Sequence, residues 1–375
     1  MTETKPIQRE TQKKNDEKIY LASQWQLMRW KFVDHRLAVF ALGIVIALYA
    51  VAAFCELLAP SDPTKRDAKH SFAKPQRVHI VHNGRLQRPF VYPLIQHINE
   101  ETLARTYTED TRRPMPIRFL AKGDAYRLWR LIPMRRHLIG LGNGERLYLM
   151  GADRLGRDLL SRILYGSRVS LSIGLVGVAM SLILGIIIGG VSGFYGGIVD
   201  TLIQRFIEIL RSFPTIPLWM ALAAAMPATW TQIRVYFCMT VILACIGWTD
   251  LARVVRGKIL ALREEDYAMA ARVAGVREFS IIMRHLIPGF LSHLIVTVTL
   301  AIPGMILAET SLSFLRLGLR PPTISWGVLL QDAMNFRAVT LYPWLLFPVF
   351  FVIVTVLMFN FLGDGLRDAA DPYSH

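Results

Sequence analysis

Charge and cysteine are both scarce in this 375-residue chain. Only 19% of its residues are charged and its mean hydropathy is +0.36, whereas soluble domains carry about 25% charged residues. That shortage excludes an ordinary soluble enzyme, a disordered protein and a nucleic-acid-binding protein, despite a net charge of +15. The three cysteines, Cys55, Cys238 and Cys245, all lie in apolar runs and form no C-x-x-C pair. They read as small core hydrophobes, with no disulfide framework and no thiolate metal site. Catalytic signatures are missing too. There is no G-x-S-x-G, no H-E-x-x-H and no G-x-x-x-x-G-K-[ST] loop, so the chain does not bind ATP by that device.

What the chain has instead is six long apolar runs: Leu37–Cys55, Val169–Val199, Phe213–Ile233, Val235–Thr249, Gly289–Ala308 and Ala338–Gly363. A helix needs about 20 such residues to cross a bilayer. Five runs satisfy that alone, and the fourth needs its flanks, with Arg234 snorkelling to the interface. The first run begins too far into the chain and is too long for a cleaved leader, so it reads as a retained anchor. Prolines and glycines inside the runs are compatible with packed membrane helices. Basic residues in short segments set the orientation. Residues 1–36 hold eight Lys and Arg and residues 250–288 hold seven, which places both termini and the 250–288 loop in the cytoplasm. Within the second run Gly177, Ser181, Gly185 and Gly189 repeat every fourth residue, a face for close helix packing.

The division read from these patterns is a cytoplasmic segment 1–36, a first membrane helix 37–58, an extracytoplasmic insert 59–150 and a core 151–375 with five further membrane helices. Residues 61–150 carry 17 Lys and Arg against 8 Asp and Glu, tolerable outside because long loops translocate largely regardless of charge. Five of the nine histidines fall in the insert, without metal-ligand spacing. Arg77–His82 and Arg85–Tyr92, joined by Asn83-Gly84, predict a β-hairpin. Ile117–Ala121 reads as a further strand, and Arg127–Arg136 as either helix or strand. Gly140-Leu-Gly142-Asn-Gly144 opens no βαβ unit and reads as a turn. The insert is either an ordered cap touching a partner or substrate, or a solvated insertion facing anionic lipid headgroups.

The 250–288 loop carries the densest signal. Acidic Glu264, Glu265 and Asp266 favour a helix start. Ala268, Ala270, Ala271 and Ala274 make a small-residue surface, and Gly275 suits a left-handed helix stop. A second helical segment, Glu278–Ile287, is expected to end at Pro288. Such a short helix with small side chains is a docking element rather than a catalytic site.

Ala270-Ala271-x-x-x-Gly275, followed by Pro288, resembles the EAA loop of ABC-importer permeases. Gly151-Ala-Asp153-x-x-Gly156-Arg157-Asp158-x-x-Ser161-Arg162 through Arg168-Val-Ser170-Leu171 resembles a motif of the dipeptide/oligopeptide/nickel C-type branch. So do Gly193-Phe-Tyr-Gly196-Gly197-x-x-Asp200, Leu312-Ser313-Phe314-Leu315-x-Leu-Gly318 with Pro321-Pro322 and Trp326-Gly327, and Asn360-x-x-Gly363-Asp364-Gly365-Leu366-Arg367-Asp368 with Asp371-Pro372. The likeness covers about 25–60 and 150–375. Departures are Met269 for the Glu of EAA, His285 for a late Ile, Gly289 for an Asn, Ala152 for a Thr, and Arg316 for the middle glycine of FLGLG.

The resemblance implies an all-α membrane protein of six transmembrane helices in the importer-type permease fold; the insert, outside the likeness, reads from its own residues as of mixed α/β character. The resemblance also implies a transport subunit without its own ATPase site, which moves peptides across the inner membrane by alternating access. Implied partners are a second permease subunit, two cytoplasmic ABC ATPases that use ATP and Mg, an extracytoplasmic binding protein and membrane lipid, with no nucleic acid. No cofactor and no metal is expected on this chain. Coupling to the ATPase would fall on Tyr267, Ala270, Ala271, Arg272, Gly275, Val276, His285 and Pro288, with Gly275 and Pro288 bounding one rigid piece. Arg272, Arg277 and Arg284 face either acidic residues of the ATPase or lipid phosphate. Glu309 either meets a peptide's amino terminus in the pathway or caps the outer interface, and Met305 and Ser313 share its stretch. Arg205, Glu208 and Arg211, spaced for one helix side, predict an intrahelical ion pair. Asp364, Arg367 and Asp368 form a local cap or touch the ATPase. Substrates of the branch include peptides, nickel and opine- or sugar-like solutes. A membrane-embedded enzyme, a sensor and a passive channel are the competing classes. They lack clustered catalytic groups, an output domain and a use for the EAA-like loop, respectively.

Overall fold

The computed structural model describes residues 24–82, 84–98, 105–142, 145–227 and 229–371. Most of the basic N-terminal segment, Asn83, Asn143-Gly144, Ala228 and Pro372 lie outside them. Helix α1 (Gln24–Asp34) leads into α2 (Arg36–Ala53) and the single turn α3 (Cys55–Leu58). After the insert come α4 (Leu159–Tyr195), α5 (Gly197–Ser212), α6 (Thr215–Ala224), α7 (Gln232–Leu262) and α8 (Asp266–Val273). The chain ends in α9 (Glu278–Phe314), the short α10 (Trp326–Leu329) and α11 (Phe336–Leu341), and α12 (Pro343–Ala370).

Five helices, α2, α4, α7, α9 and α12, are long and apolar enough to cross a bilayer. The third run, Phe213–Ile233, is not the straight span expected. Pro214 offers no N–H and disfavours helical geometry in the residue before it; Phe213 is extended at φ −81° and ψ 136°. Helices α5 and α6 therefore meet at 81°, and a sixth span exists only if this bent pair is counted as one. At 37 residues, α4 is about 55 Å long, well beyond a hydrocarbon core of about 30 Å. Its N-terminal end follows directly on the insert.

The small-residue stripe of α4 is the seam with α7. A Cβ on Gly185 would lie 2.7 Å from the Leu251 Cβ, and one on Gly193 would lie 2.8 Å from the Arg256 carbonyl oxygen. At Gly189 an added Cβ would run into the Ala252 carbonyl, and backbone does not yield. Gly189→Leu is expected to destabilise the chain by about 1–3 kcal/mol through overpacking. The thermal unfolding midpoint of the chain in lipid nanodiscs reads this, and an unchanged midpoint would refute the seam.

Charges at the helix ends close locally. Arg205 pairs with Glu208 at 2.7 Å, the intrahelical pair expected, while Arg211 leaves that side and pairs with Asp250 of α7. His35, which caps α2 by accepting the Ala38 N–H, also faces Asp368 at 3.6 Å, so the end of α12 is tied to the start of α2.

The insert is not mixed α/β among its described residues. It contains seven strands and one 3₁₀ turn, Ala68–His70. Strands β1 (His79–His82) and β2 (Arg85–Val91) form the expected hairpin, extended by β5 (Met115–Pro116). Strands β3 (Leu94–Ile98) and β4 (Arg105–Glu109) pair separately, as do β6 (Arg118–Leu128) and β7 (Ile132–Gly140). The ambiguous stretch Arg127–Arg136 is thus the tip of an antiparallel hairpin. Cross-strand pairing, invisible to local pattern, decided it. That hairpin rests on the end of the first span: the Trp129 Nε1–H donates to the Ala53 carbonyl at 2.8 Å, and His137 Nδ1 bonds the Ala59 carbonyl at 2.6 Å.

Candidate functional site

The α8 loop is a small rigid platform. Glu265 precedes the helix, Asp266 occupies its first turn, and Gly275 ends it at φ +72°, a conformation that favours glycine. The Gly275 N–H donates to the Arg272 carbonyl at 3.0 Å and the Val276 N–H to the Ala271 carbonyl at 3.1 Å. This is the paired termination that satisfies the orphan carbonyls of a helix end.

Which face the helix shows reverses part of the expectation. Ala268 and Ala271 are only 2% and 9% exposed, packed in one cluster with Phe194, Val255, Ile259, Ile281 and Leu286. The outward face is instead Tyr267, Met269, Ala270 and Val273, the last 90% exposed, with Phe279 beside it at 68%. The platform's exposed surface is therefore larger and more apolar than a run of alanines. Arg272 lies over the Phe194 ring at 4.6 Å, a contact worth about 0.5–1 kcal/mol at an exposed site. Arg263 donates to the carbonyls of Gly193 and Phe194 at 3.1 and 3.2 Å, capping the end of α4. These two arginines and Phe194 fasten the platform to α4, and sequence spacing did not single out Arg263 or Phe194. Val276 is half-buried, while His285 and Pro288 are exposed one element later.

Pro288 does not end the following helix, contrary to expectation. The chain passes through a π-helical stretch, Ile281–Leu286, and a 3₁₀ turn, Ile287–Phe290, directly into Leu291–Phe314. The wider π turn removes the clash that proline's ring would make in a regular helix. α9 consequently runs on without a free hinge at Pro288.

The three residues expected along the pathway, Met305, Glu309 and Ser313, separate. Met305 lines an intramembrane cavity of about 470 Å³ with Ser181, Trp219, Gly247 and Leu300, and the Arg211–Asp250 pair closes part of its wall. Glu309 and Ser313 do not reach it. Glu309 is 0% exposed and accepts hydrogen bonds from Ser170 Oγ at 3.0 Å, Ser313 Oγ at 2.9 Å and Thr310 Oγ1 at 3.4 Å. The Trp326 N–H donates to Ser170 Oγ at 3.1 Å, and Gln331 Nε2 to the Ser313 carbonyl at 2.6 Å. A carboxylate near the end of an apolar run invites a functional reading. Here three hydroxyls satisfy it, and the result is a sealed polar knot joining α4, α9 and α10.

A second knot fastens the insert. Buried Asp153 pairs with Arg157 at 2.7 Å and with buried Arg162. Asp158 caps α4 by accepting the Ser161 N–H at 2.8 Å, and Ser161 Oγ accepts the Ser61 N–H at 3.1 Å. Arg168 grips both oxygens of Glu56 at 2.6 Å. Partial burial would raise the Asp124 carboxyl, but the Lys65 ammonium and the Asp62 N–H outweigh it and hold the group below the usual carboxylate range. The motif at 151–171 is thus a structural clasp between the insert and the helical bundle.

Residues 181–373 match the family described as binding-protein-dependent transport system inner membrane component. Residues 23–75 match the N-terminal TM domain of oligopeptide transport permease C. The chain is 43% identical over 229 residues to the oligopeptide transport system permease protein OppC of Haemophilus influenzae, covering 61% of this chain and 71% of that protein. It is 39% identical over 224 residues to the dipeptide transport system permease protein DppC of Bacillus subtilis, covering 59% and 68%. Among solved structures, the inward-facing MetNI methionine ABC transporter has a TM-score of 0.41 at 18% identity, covering 55% of this chain and 95% of that chain. With one family match running from the second half of α4 through the end of α12, over half of the chain, and relatives above 30% identity over more than two thirds of their length, the chain belongs to the binding-protein-dependent transport system inner membrane components.

Proposed function

We propose that this chain is one permease half of an ATP-driven peptide importer in the inner membrane. The observation that carries the reading is the α8 platform: an exposed apolar face, backed by the bundle's own core, capped at Gly275 and joined to a membrane span by the short turn 274–277. An element that must pass force between a soluble motor and a span has to be rigid and open on one side. Both termini and the platform face the cytoplasm, and the insert faces outward. Of the complex's two ABC ATPases, which use ATP and Mg, one docks on this chain at Tyr267, Ala270, Val273 and their neighbours, with Arg272, Gly275 and Val276 holding the platform's shape and His285 and Pro288 extending it. A second permease subunit completes the channel, and an extracytoplasmic binding protein delivers substrate. Peptide is the substrate class that the oligopeptide and dipeptide relatives support. The pathway runs past the cavity at Met305, with Glu309 and Ser313 holding its outer frame in place.

Uptake of a radiolabelled tripeptide into proteoliposomes carrying the assembled complex tests this. Met305→Trp is expected to lower the uptake rate roughly tenfold, equivalent to about 1.4 kcal/mol on the barrier. Uptake of nickel or a sugar in place of peptide would overturn the substrate assignment, and unaltered peptide uptake by Met305→Trp would remove the cavity from the pathway.

A further inference from the structure

A second cavity, of about 810 Å³, opens between the base of the insert and the segment joining α9 to α12. Its volume is that of a small-ligand site. The rings of Phe72 and Tyr342 stack along its wall, centroids 4.2 Å apart and nearly parallel at 5°. Three arginines line it, Arg154, Arg316 and Arg337, together with Asp332. Neighbouring Arg157 and Arg162 are both committed to Asp153. By contrast, no hydrogen bond and no ion pair within 4 Å holds the side chains of Arg154, Arg316, Arg337 and Asp332 among the described residues, although the Asp332 charge is felt by Arg154 and by the nearby Arg157 and Arg162.

The backbone under Arg316 adds an independent observation. It sits at φ +63°, a left-handed conformation that costs any residue with a Cβ and costs glycine nothing. Glycine is the residue in the motif that this stretch resembles. The Arg316 N–H is held by the Ser313 carbonyl at 3.0 Å, so the turn is imposed by the sealed knot and an arginine is carried on it regardless. Strain kept at a cavity wall marks a side chain needed there.

We propose that this cleft binds the carboxylate end of a zwitterionic peptide, through the guanidinium groups of Arg154, Arg316 and Arg337, as it passes from the binding protein to the membrane pathway. The inference rests on the peptide reading above. Guanidinium forks match a free carboxylate, Asp332 offers the opposite charge for an amino group, and the aromatic wall covers the side chain between. A concave site holding both signs of charge fits a small zwitterion better than it fits the flat acidic face of a docking protein.

The test is uptake of labelled tri-alanine and of its C-terminal amide by the assembled complex in proteoliposomes. The same binding protein is used in every arm, so its own preference cancels. Arg316→Gly relieves the left-handed strain and is safe for the fold; Arg154→Gln and Arg337→Gln are companion variants. The expected result is a fall of about tenfold in the acid-to-amide uptake ratio for Arg316→Gly, the loss of one charge-assisted contact. Unchanged ratios in all three variants, with peptide uptake by wild type, overturn the site alone. An equal fall for both peptides, together with loss of binding-protein-stimulated ATP hydrolysis, overturns it in favour of a protein-docking contact. Failure of wild type to import either peptide overturns the peptide reading and this site with it.

Discussion

A complex carrying Val273→Asp is expected to assemble its permease chains normally and to lose binding-protein-stimulated ATP hydrolysis. Val273 is 90% exposed on the platform. A surface change of this kind moves the chain's own stability by no more than about 0.5 kcal/mol. In the proposed complex the ATPase covers the same position, and an unpaired carboxylate buried in an apolar contact costs about 2 kcal/mol or more. That corresponds to roughly a thirtyfold loss of productive coupling. Ala271→Asp is the instructive contrast. Ala271 points into the cluster around Phe194 and Ile259, so that variant fails by unfolding the platform. Stimulated hydrolysis measured beside the thermal midpoint separates the two. A Val273→Asp complex with wild-type stimulation would show that α8 does not transmit the motor's stroke.

Asp153→Ala is expected to be the most destabilising single change outside the bundle's apolar core. Arg162 is 3% exposed, and its guanidinium meets the Asp153 carboxylate, which also holds Arg157. Removing that carboxylate leaves a buried cation without its partner, a loss of about 3–5 kcal/mol. Replacing the pair with apolar residues of similar volume removes the uncompensated charge, so Asp153→Leu with Arg162→Met should recover much of the loss. Thermal unfolding in nanodiscs measures both. A single variant within about 1 kcal/mol of wild type would mean that the pair is solvated and does not clasp the insert to α4.

Much of this architecture is legible in the amino-acid sequence. The bilayer demands long apolar runs with all backbone polar groups satisfied internally, so α2, α4, α9 and α12 stand out by length, while the shorter run in α7 spans only with its flanks. Gly275 after a run of alanines marks the end of α8, because few residues tolerate the left-handed turn that closes a helix. The Asn83-Gly84 pair marks the first hairpin of the insert. The family motifs mark the platform and the clasp.

What only the tertiary structure decided is which way side chains face and where irregular backbone is tolerated. In a membrane helix lipid and protein core are equally apolar, so hydrophobic periodicity does not say which side is packed. Ala268 and Ala271 turned inward and Val273 outward for a reason outside their own segment: Phe194 and Ile259 are there to receive them. Glu309 became a sealed structural group because Ser170 and Ser313 converge on it from two helices. Pro288 sits inside a continuous helix because the preceding turn widened, while Pro214, without such relief, bent its span by 81°. The arginines of the cleft at the base of the insert, drawn from three separate stretches, became a set only when the insert closed over the α9–α12 segment. Composition and spacing record what each segment must satisfy by itself; long-range contacts settle what neighbouring segments satisfy for it.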